Sequence, residues 1–265
     1  ASYLRSAQLI RADPSVLLSP PSGDSLAVAG NFPPFYPVVL ALTGTEVADL
    51  TPARWVTVAL AGGSIALLTW LVRRHGSMAA AVSAGTLVVL TRGYLVRVHS
   101  FVMSDALFGF LALLALVLVD ASSRALTSRR AMTWALAAAL VAGLAATTRL
   151  VGMSVVAAVA LAPLLFSSRR RWFVSLAAGA TGLALPLAWL ATVAGGDDLG
   201  PRSLGWYGFG LGYGGTILDS IQLFLLPQPV LTSPLGWCVD VMVIAGIGVV
   251  AWWALSRIRD NAHHA

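Results

Sequence analysis

The sequence predicts an all-α, polytopic transmembrane helix bundle, with shorter helices lying at one face of the membrane. Three observations carry this reading. Hydrophobic residues make up 58% of the 265 residues and charged residues only 11%, whereas about a quarter of an average soluble chain is charged. Apolar stretches recur along the chain at lengths near those needed to cross a bilayer. The seventeen basic residues are all Arg, and ten of them fall in four clusters: Arg73/Arg74, Arg124/Arg129/Arg130, Arg169/Arg170/Arg171 and Arg257/Arg259. An excess of Arg in short loops marks the cytoplasmic side, so the segments around Tyr3 to Arg54, Arg92 to His99, Arg149, and Asp197 to Gly236 are expected outside.

The elements follow in order. Residues 1–54 read as an extracytoplasmic loop. It opens with an amphipathic pattern from Tyr3 to Ile10, passes a Ser-, Pro- and Gly-rich stretch at 19–30, and enters Asn31-Phe32-Pro33-Pro34-Phe35-Tyr36-Pro37. A proline at a helix start loses no hydrogen bond, so 37–43 is expected as a short helix at the outer interface, where aromatic rings are favoured. A six-span bundle is expected over 55–194, with spans near 55–72, 77–91, 102–119, 132–147, 151–166 and 172–194. A second outer loop, 195–235, has Asp197-Asp198, a Gly- and aromatic-rich run, and an apolar stretch from Ile217 to Leu226 too short to cross. The last span, 236–255, leads into a cytoplasmic tail within 236–265.

Seven crossings place the start of the chain outside and its C-terminus in the cytoplasm. Ala1 to Asp24 lacks the apolar core of a signal peptide, so the chain reads like a fragment that follows at least one further transmembrane helix. The net charge of +6 complements anionic lipid headgroups and gives no reason to invoke nucleic acid. Cys238 is the sole cysteine, which excludes an intramolecular disulfide and a cysteine metal cluster. Nucleotide-binding, serine-hydrolase and zinc-protease motifs are absent, and no transporter-type repeat is evident. The bias toward Ala, Gly, Val and Arg fits a high-GC genome and a bacterial inner membrane.

Several segments resemble the GT-C glycosyltransferases, polytopic enzymes that take a sugar from a polyprenyl-phosphate carrier at the outer membrane face. Tyr3-Leu4-x-x-Ala7 is similar to the segment after that family's first-loop catalytic Asp. Phe32-Pro33-Pro34-Phe35-Tyr36-Pro37 is similar to its His-x-Pro-Pro-Leu-Tyr-Pro stretch. Met103-Ser104-Asp105-Ala106-Leu107-Phe108 resembles an acidic residue opening an outer-facing helix, and Thr148-Arg149-Leu150-Val151-Gly152 resembles a Thr-Arg-x-x-Gly turn. Arg202-Ser203-Leu204-Gly205-Trp206-Tyr207, with Leu225-Leu226-Pro227, is similar to a late outer loop. The resemblance implies a glycosyltransferase of this type, hexosyl- or pentosyl-, with a polyprenyl-phosphate-linked sugar as donor and a glycan, lipid or protein as acceptor. It also places the first-loop Asp just upstream of Ala1, and this chain has Asn31 or Phe32, and Tyr207, where the family has His.

Sugar transfer from a lipid phosphate needs a carboxylate to take the acceptor's proton and a cation to stabilise the departing phosphate. Ionisable residues at membrane depth are costly, which makes them functional candidates. Asp105 is the catalytic candidate: a cavity acid that orients the acceptor, binds a metal or pairs with Arg97 or Arg149. Against this stands Ser104-Asp105 as a plain helix cap and first-turn acid. Arg149 is either a planar fork for the carrier phosphate or a side chain reaching for the outer interface. Arg97, His99, Tyr36, Asn31, Arg202 and Tyr207 complete the substrate-binding candidates, each of which an outer turn or aromatic belt also explains. Asp197-Asp198 offers the oxygen ligands a divalent ion favours, but two adjacent acids between Gly196 and Gly200 are more often a solvated turn, and no metal ligand is assigned. The alternative to an enzyme is a non-catalytic membrane subunit, or a transporter-like protein, whose outer cavity holds a lipid.

Overall fold

The computed structural model describes residues 2–17, 33–90, 104–166 and 171–194, together with Ala245 and Trp252. Apart from the last two, these belong to one compact unit made of residues 1–91 and 96–203. The second outer loop, the last span, and the candidates Asn31, Arg97, His99, Arg202 and Tyr207 lie outside the described residues.

Eight α-helices and two 3₁₀ turns make up the described residues, which include no strand. They are α1 (Ser2–Ala12), α2 (Phe35–Leu42), α3 (Thr51–His75), α4 (Met78–Leu90), α5 (Asp105–Ser123), α6 (Ser128–Ala146), α7 (Met153–Phe166) and α8 (Arg171–Ala194), with 3₁₀ turns at Pro14–Leu17 and Leu150–Gly152. Among the described residues three helices are long and apolar enough to cross a membrane: Thr51–His75, Asp105–Ser123 and Trp172–Thr192 within α8. The shorter apolar helix Leu150–Leu165 packs against the second and third of these.

Local chemistry sets the ends. Asp49 Oδ1 accepts from the Thr51 amide at 2.9 Å, Pro52 fills an early position that needs no donor, and α3 then runs on through Arg73, Arg74 and His75. The sequence places Arg73/Arg74 beyond the span; the helix keeps them because arginine is a good helix former and cations suit a helix C-terminus. α6 begins four residues before the expected 132, where the Thr127 side chain accepts from the Arg130 amide at 3.3 Å. α5 likewise extends past 119, through Asp120 to Ser123, for a reason that lies in its partners.

Two clusters hold the unit together. In the first, Leu4 and Ala7 of α1, Tyr36 and Leu40 of α2, Ala53 of α3, Leu107 and Leu111 of α5 and Ala145 of α6 pack together. The sequence expects a helix at 37–43; it starts two residues earlier and buries one face, with Tyr36 1% and Leu40 0% exposed, while Leu42 on the other side is open. Three other helix ends and α1 supply the cover, which no local pattern discloses. The Phe35 amide donates to Thr147 O at 3.0 Å and so fastens the start of α2 to the end of α6.

The second cluster is built on small residues: Ala138, Ala139, Ala142 and Ala146 of α6 meet Ala115 of α5, Val156 and Val159 of α7 and Ala178 of α8. Lipid is as apolar as a side chain, so membrane helices associate by close packing, which small residues permit. A Cβ on Gly143 would stand 2.8 Å from the Gly182 carbonyl oxygen, so α6 and α8 approach backbone to backbone there.

Candidate functional site

The two threonines that end α6 determine where Arg149 sits. Thr147 Oγ1 donates to Leu144 O at 3.0 Å and Thr148 Oγ1 to the same carbonyl at 2.8 Å, satisfying a group that a helix C-terminus otherwise leaves open. The chain then turns extended at Arg149, and the Gly152 amide donates to Arg149 O at 2.8 Å. Gly152 lies so close to α6 that a Cβ there would meet Ala145 and Ala146 backbone atoms at 2.5 Å. The Thr-Arg-x-x-Gly spacing is therefore a helix stop that turns one arginine out of the bundle at a fixed place.

Arg149 is turned toward the start of α5, where its Nη1 meets Asp105 Oδ1 at 2.5 Å. The pair is half open, with side chains 41% and 36% exposed, so the guanidinium keeps donors available beyond the one spent on Asp105. Of the partners considered for Asp105, Arg149 is the one present; Arg97 lies outside the described residues. Ser104 does not act as a side-chain cap for α5. Its hydroxyl lies 3.2 Å from the Tyr3 phenol oxygen instead, which ties α1 to the start of α5.

Tyr36 completes this end of the unit. Its ring meets that of Tyr3 edge-on, centroids 5.2 Å apart, a favoured aromatic geometry. Burial pushes its phenol well above the ordinary tyrosine value; Thr57 opposes the shift, and Tyr3 and Asp105 add to it. Thr57, however, donates its own proton to Ala53 O at 2.9 Å, and Tyr36 Oη is left without a well-formed hydrogen bond. The aromatic belt does not account for Tyr36, whose ring is inside the unit.

Tyr3, Tyr36, Ser104, Asp105 and Arg149 thus come together from α1, α2, the start of α5 and the turn after α6. Among the described residues no group of three or more His, Cys, Asp or Glu could hold a metal ion. A groove of about 670 Å³ lies at the other end of the bundle, between Val119, Met132, Pro163 and Phe173, with Arg129 at its edge. The sequence reading passed over Thr57, and it passed over a cluster around Asp120. There Arg74, His75 and Arg124 converge on a single carboxylate. The available signals were an acid inside an apolar run and the i, i+4 pair Asp120/Arg124.

The apolar helices long enough to cross a membrane and the comparison with known families together make the chain a membrane glycosyltransferase. A model of the dolichyl-phosphate-mannose-protein mannosyltransferase family matches residues 17–191. The chain belongs to that family. No curated protein and no solved structure matches it.

Proposed function

We propose that the chain transfers a sugar from a polyprenyl-phosphate carrier to an acceptor at the extracytoplasmic face of a bacterial inner membrane, in the manner of GT-C enzymes. The observation that supports this most is the placement of Arg149, turned out of the bundle by the Thr147-Thr148 stop and held by Asp105. In this reading Arg149 takes the carrier phosphate. A guanidinium offers two parallel donors to phosphate oxygens, and it stabilises the charge that grows on the phosphate as the sugar leaves. Asp105 keeps the fork aimed through Oδ1, and its Oδ2 is left to accept from an acceptor hydroxyl. Asn31, Arg97, His99, Arg202 and Tyr207 are proposed as further substrate-binding residues on the strength of the sequence resemblance, Tyr36 is proposed to support the site from inside the unit, and the Arg clusters are proposed to face the cytoplasm with the C-terminus.

The test is carrier-lipid binding and sugar transfer for the wild type, Arg149→Ala, Arg149→Lys and Asp105→Asn, each checked for helix content and unfolding midpoint. Loss of a charge-assisted hydrogen bond costs about 1.5–3 kcal/mol, so Arg149→Ala weakens carrier binding roughly ten- to hundred-fold. Arg149→Lys recovers little, because the ammonium keeps the charge without the fork. Asp105→Asn retains binding better than it retains transfer. Unchanged binding and transfer in a folded Arg149→Ala protein would reduce Arg149 to an interfacial anchor.

A further inference from the structure

The second charged cluster lies at the opposite end of α5 from Asp105, fifteen residues or about 22 Å along the helix. Asp120 is 8% exposed, and two arginines and a histidine surround it: Arg74 Nε at 2.6 Å from Oδ2, and His75 Nε2 at 3.0 Å and Arg124 Nε at 2.8 Å from Oδ1. Arg124 Nη2 also lies 3.3 Å from His75 Nδ1. An acid in the last turn of a helix stands against the negative end of the helix dipole, and burial adds a further cost. An acid so placed depends on the basic side chains around it. The clamp joins the end of α3 to the end of α5, but it is unbalanced. Two guanidiniums face one carboxylate, which leaves one net positive charge, and two when His75 is protonated. The Arg and His side chains remain a third to a half exposed while Asp120 does not, so cationic donors face outward and the acid lies behind them.

A second observation places this donor set at a membrane interface. The Arg74 guanidinium stacks over the Trp70 ring, 4.9 Å from its centroid, and Trp70 is itself partly exposed on α3, one of the three helices suited to crossing. Tryptophan on a spanning helix belongs at headgroup depth. Stacking holds one face of the guanidinium, and its Nε lies close to Asp120 Oδ2 without a well-aligned hydrogen bond, so the side chain is held by charge and stacking while its donors are not spent on the acid.

We propose that Asp120, Arg74, His75 and Arg124 form a cradle for the phosphate of an anionic phospholipid headgroup. Arg74 and Arg124 supply the donors. Asp120 is the positioning residue that holds both guanidiniums on one side. The bound lipid fastens α3 to α5 at the end of the bundle away from the sugar-transfer site. The proposal depends on neither the donor nor the acceptor of that reaction.

The test uses the full chain reconstituted in vesicles of equimolar phosphatidylglycerol and phosphatidylcholine, with retained lipid counted by native mass spectrometry after extraction. Wild type retains phosphatidylglycerol in preference. Arg74→Gln and Arg124→Gln each lower that preference about ten-fold, the effect of one charge-assisted hydrogen bond. The paired Arg129→Gln/Arg130→Gln control, two exposed arginines outside the cradle, leaves it within about two-fold. Asp120→Asn separates a built site from simple attraction: removing an acid strengthens a non-specific cationic patch but weakens a cradle whose arms it positions. Equal loss in the control pair, a gain in Asp120→Asn, or equal retention of the two lipids would overturn the proposal. Displacement by millimolar inorganic phosphate would overturn the assignment to a lipid. Should Asp120→Asn fail to fold, the two Arg→Gln variants and the control decide the matter alone.

Discussion

Replacing Gly152 by alanine tests whether the turn after α6 fixes Arg149. The added methyl carbon would lie 2.5 Å from Ala145 C and Ala146 N and 2.6 Å from Ala145 O. Carbon contacts are optimal at about 3.5–4.0 Å, so the 3₁₀ turn and the end of α6 have to part by about 1 Å. The opposing atoms are backbone atoms of α6, so no side chain can swing aside. Overpacking of this kind typically costs about 1–3 kcal/mol, which at this chain length lowers the unfolding midpoint by about 4–12 °C when the cost is 2–3 kcal/mol. Gly109 of α5 is the control, since a Cβ there meets nothing within 4 Å and alanine is the better helix former by up to about 1 kcal/mol. Both variants are unfolded thermally in one detergent, and carrier binding is measured on the folded fraction. Gly152→Ala should fall in midpoint and also lose carrier affinity, because Gly152 N is bonded to Arg149 O. Equal midpoints for the two variants would refute the geometry on which the position of Arg149 rests.

Two further outcomes follow from the same structure. Tyr36→Phe should raise the unfolding midpoint slightly, because an unsatisfied buried hydroxyl costs about 1–3 kcal/mol; a fall of several degrees would show that Tyr36 Oη has a partner. Burial raises the Tyr36 value in the folded state, so its contribution is complete below the unfolded value of about 10 and declines as pH rises beyond that. Wild type therefore loses stability in alkali faster than Tyr36→Phe, and absorbance titration of the variant lacks the late-ionising phenol. In a Cys238→Ser background, Ser15→Cys should react with impermeant maleimide from outside and Ser128→Cys from the cytoplasm only, and the reverse pattern would invert the orientation argued from the Arg clusters.

The helices themselves were legible in the sequence, because apolar runs of this length have no other stable arrangement in lipid. Their ends were less so wherever charge continued inside a helix. Arg73 and Arg74 read as loop, and they lie in the last turn of α3. The Thr148-Arg149-x-x-Gly152 spacing could be read as a motif, but its reason is the approach of Gly152 to Ala145 and Ala146, which exists only after α6 and the turn have folded. Tyr36 read as interfacial for the same cause: α2 supplies the aromatic residue, and α1, α3, α5 and α6 supply the burial.

The two acids of α5 define the limit most sharply. Asp105 stands at a helix start, where an acid is favoured by the dipole, and so it could be recognised before any partner was known. Asp120 stands near the opposite end of the same helix, where the dipole disfavours it and the apolar surroundings give no reason for it. Arg124, four residues on, is a local partner, but one ion pair to a half-exposed arginine does not by itself offset the desolvation of a buried carboxylate. The remaining compensation comes from Arg74 and His75, some forty-five residues earlier in the chain. A lone charge within an apolar span is thus interpretable only through its partner. For Asp105 that partner, Arg149, was itself conspicuous as an arginine on the Arg-poor side; for Asp120 the partners belonged to clusters already explained by topology, which hid their second use.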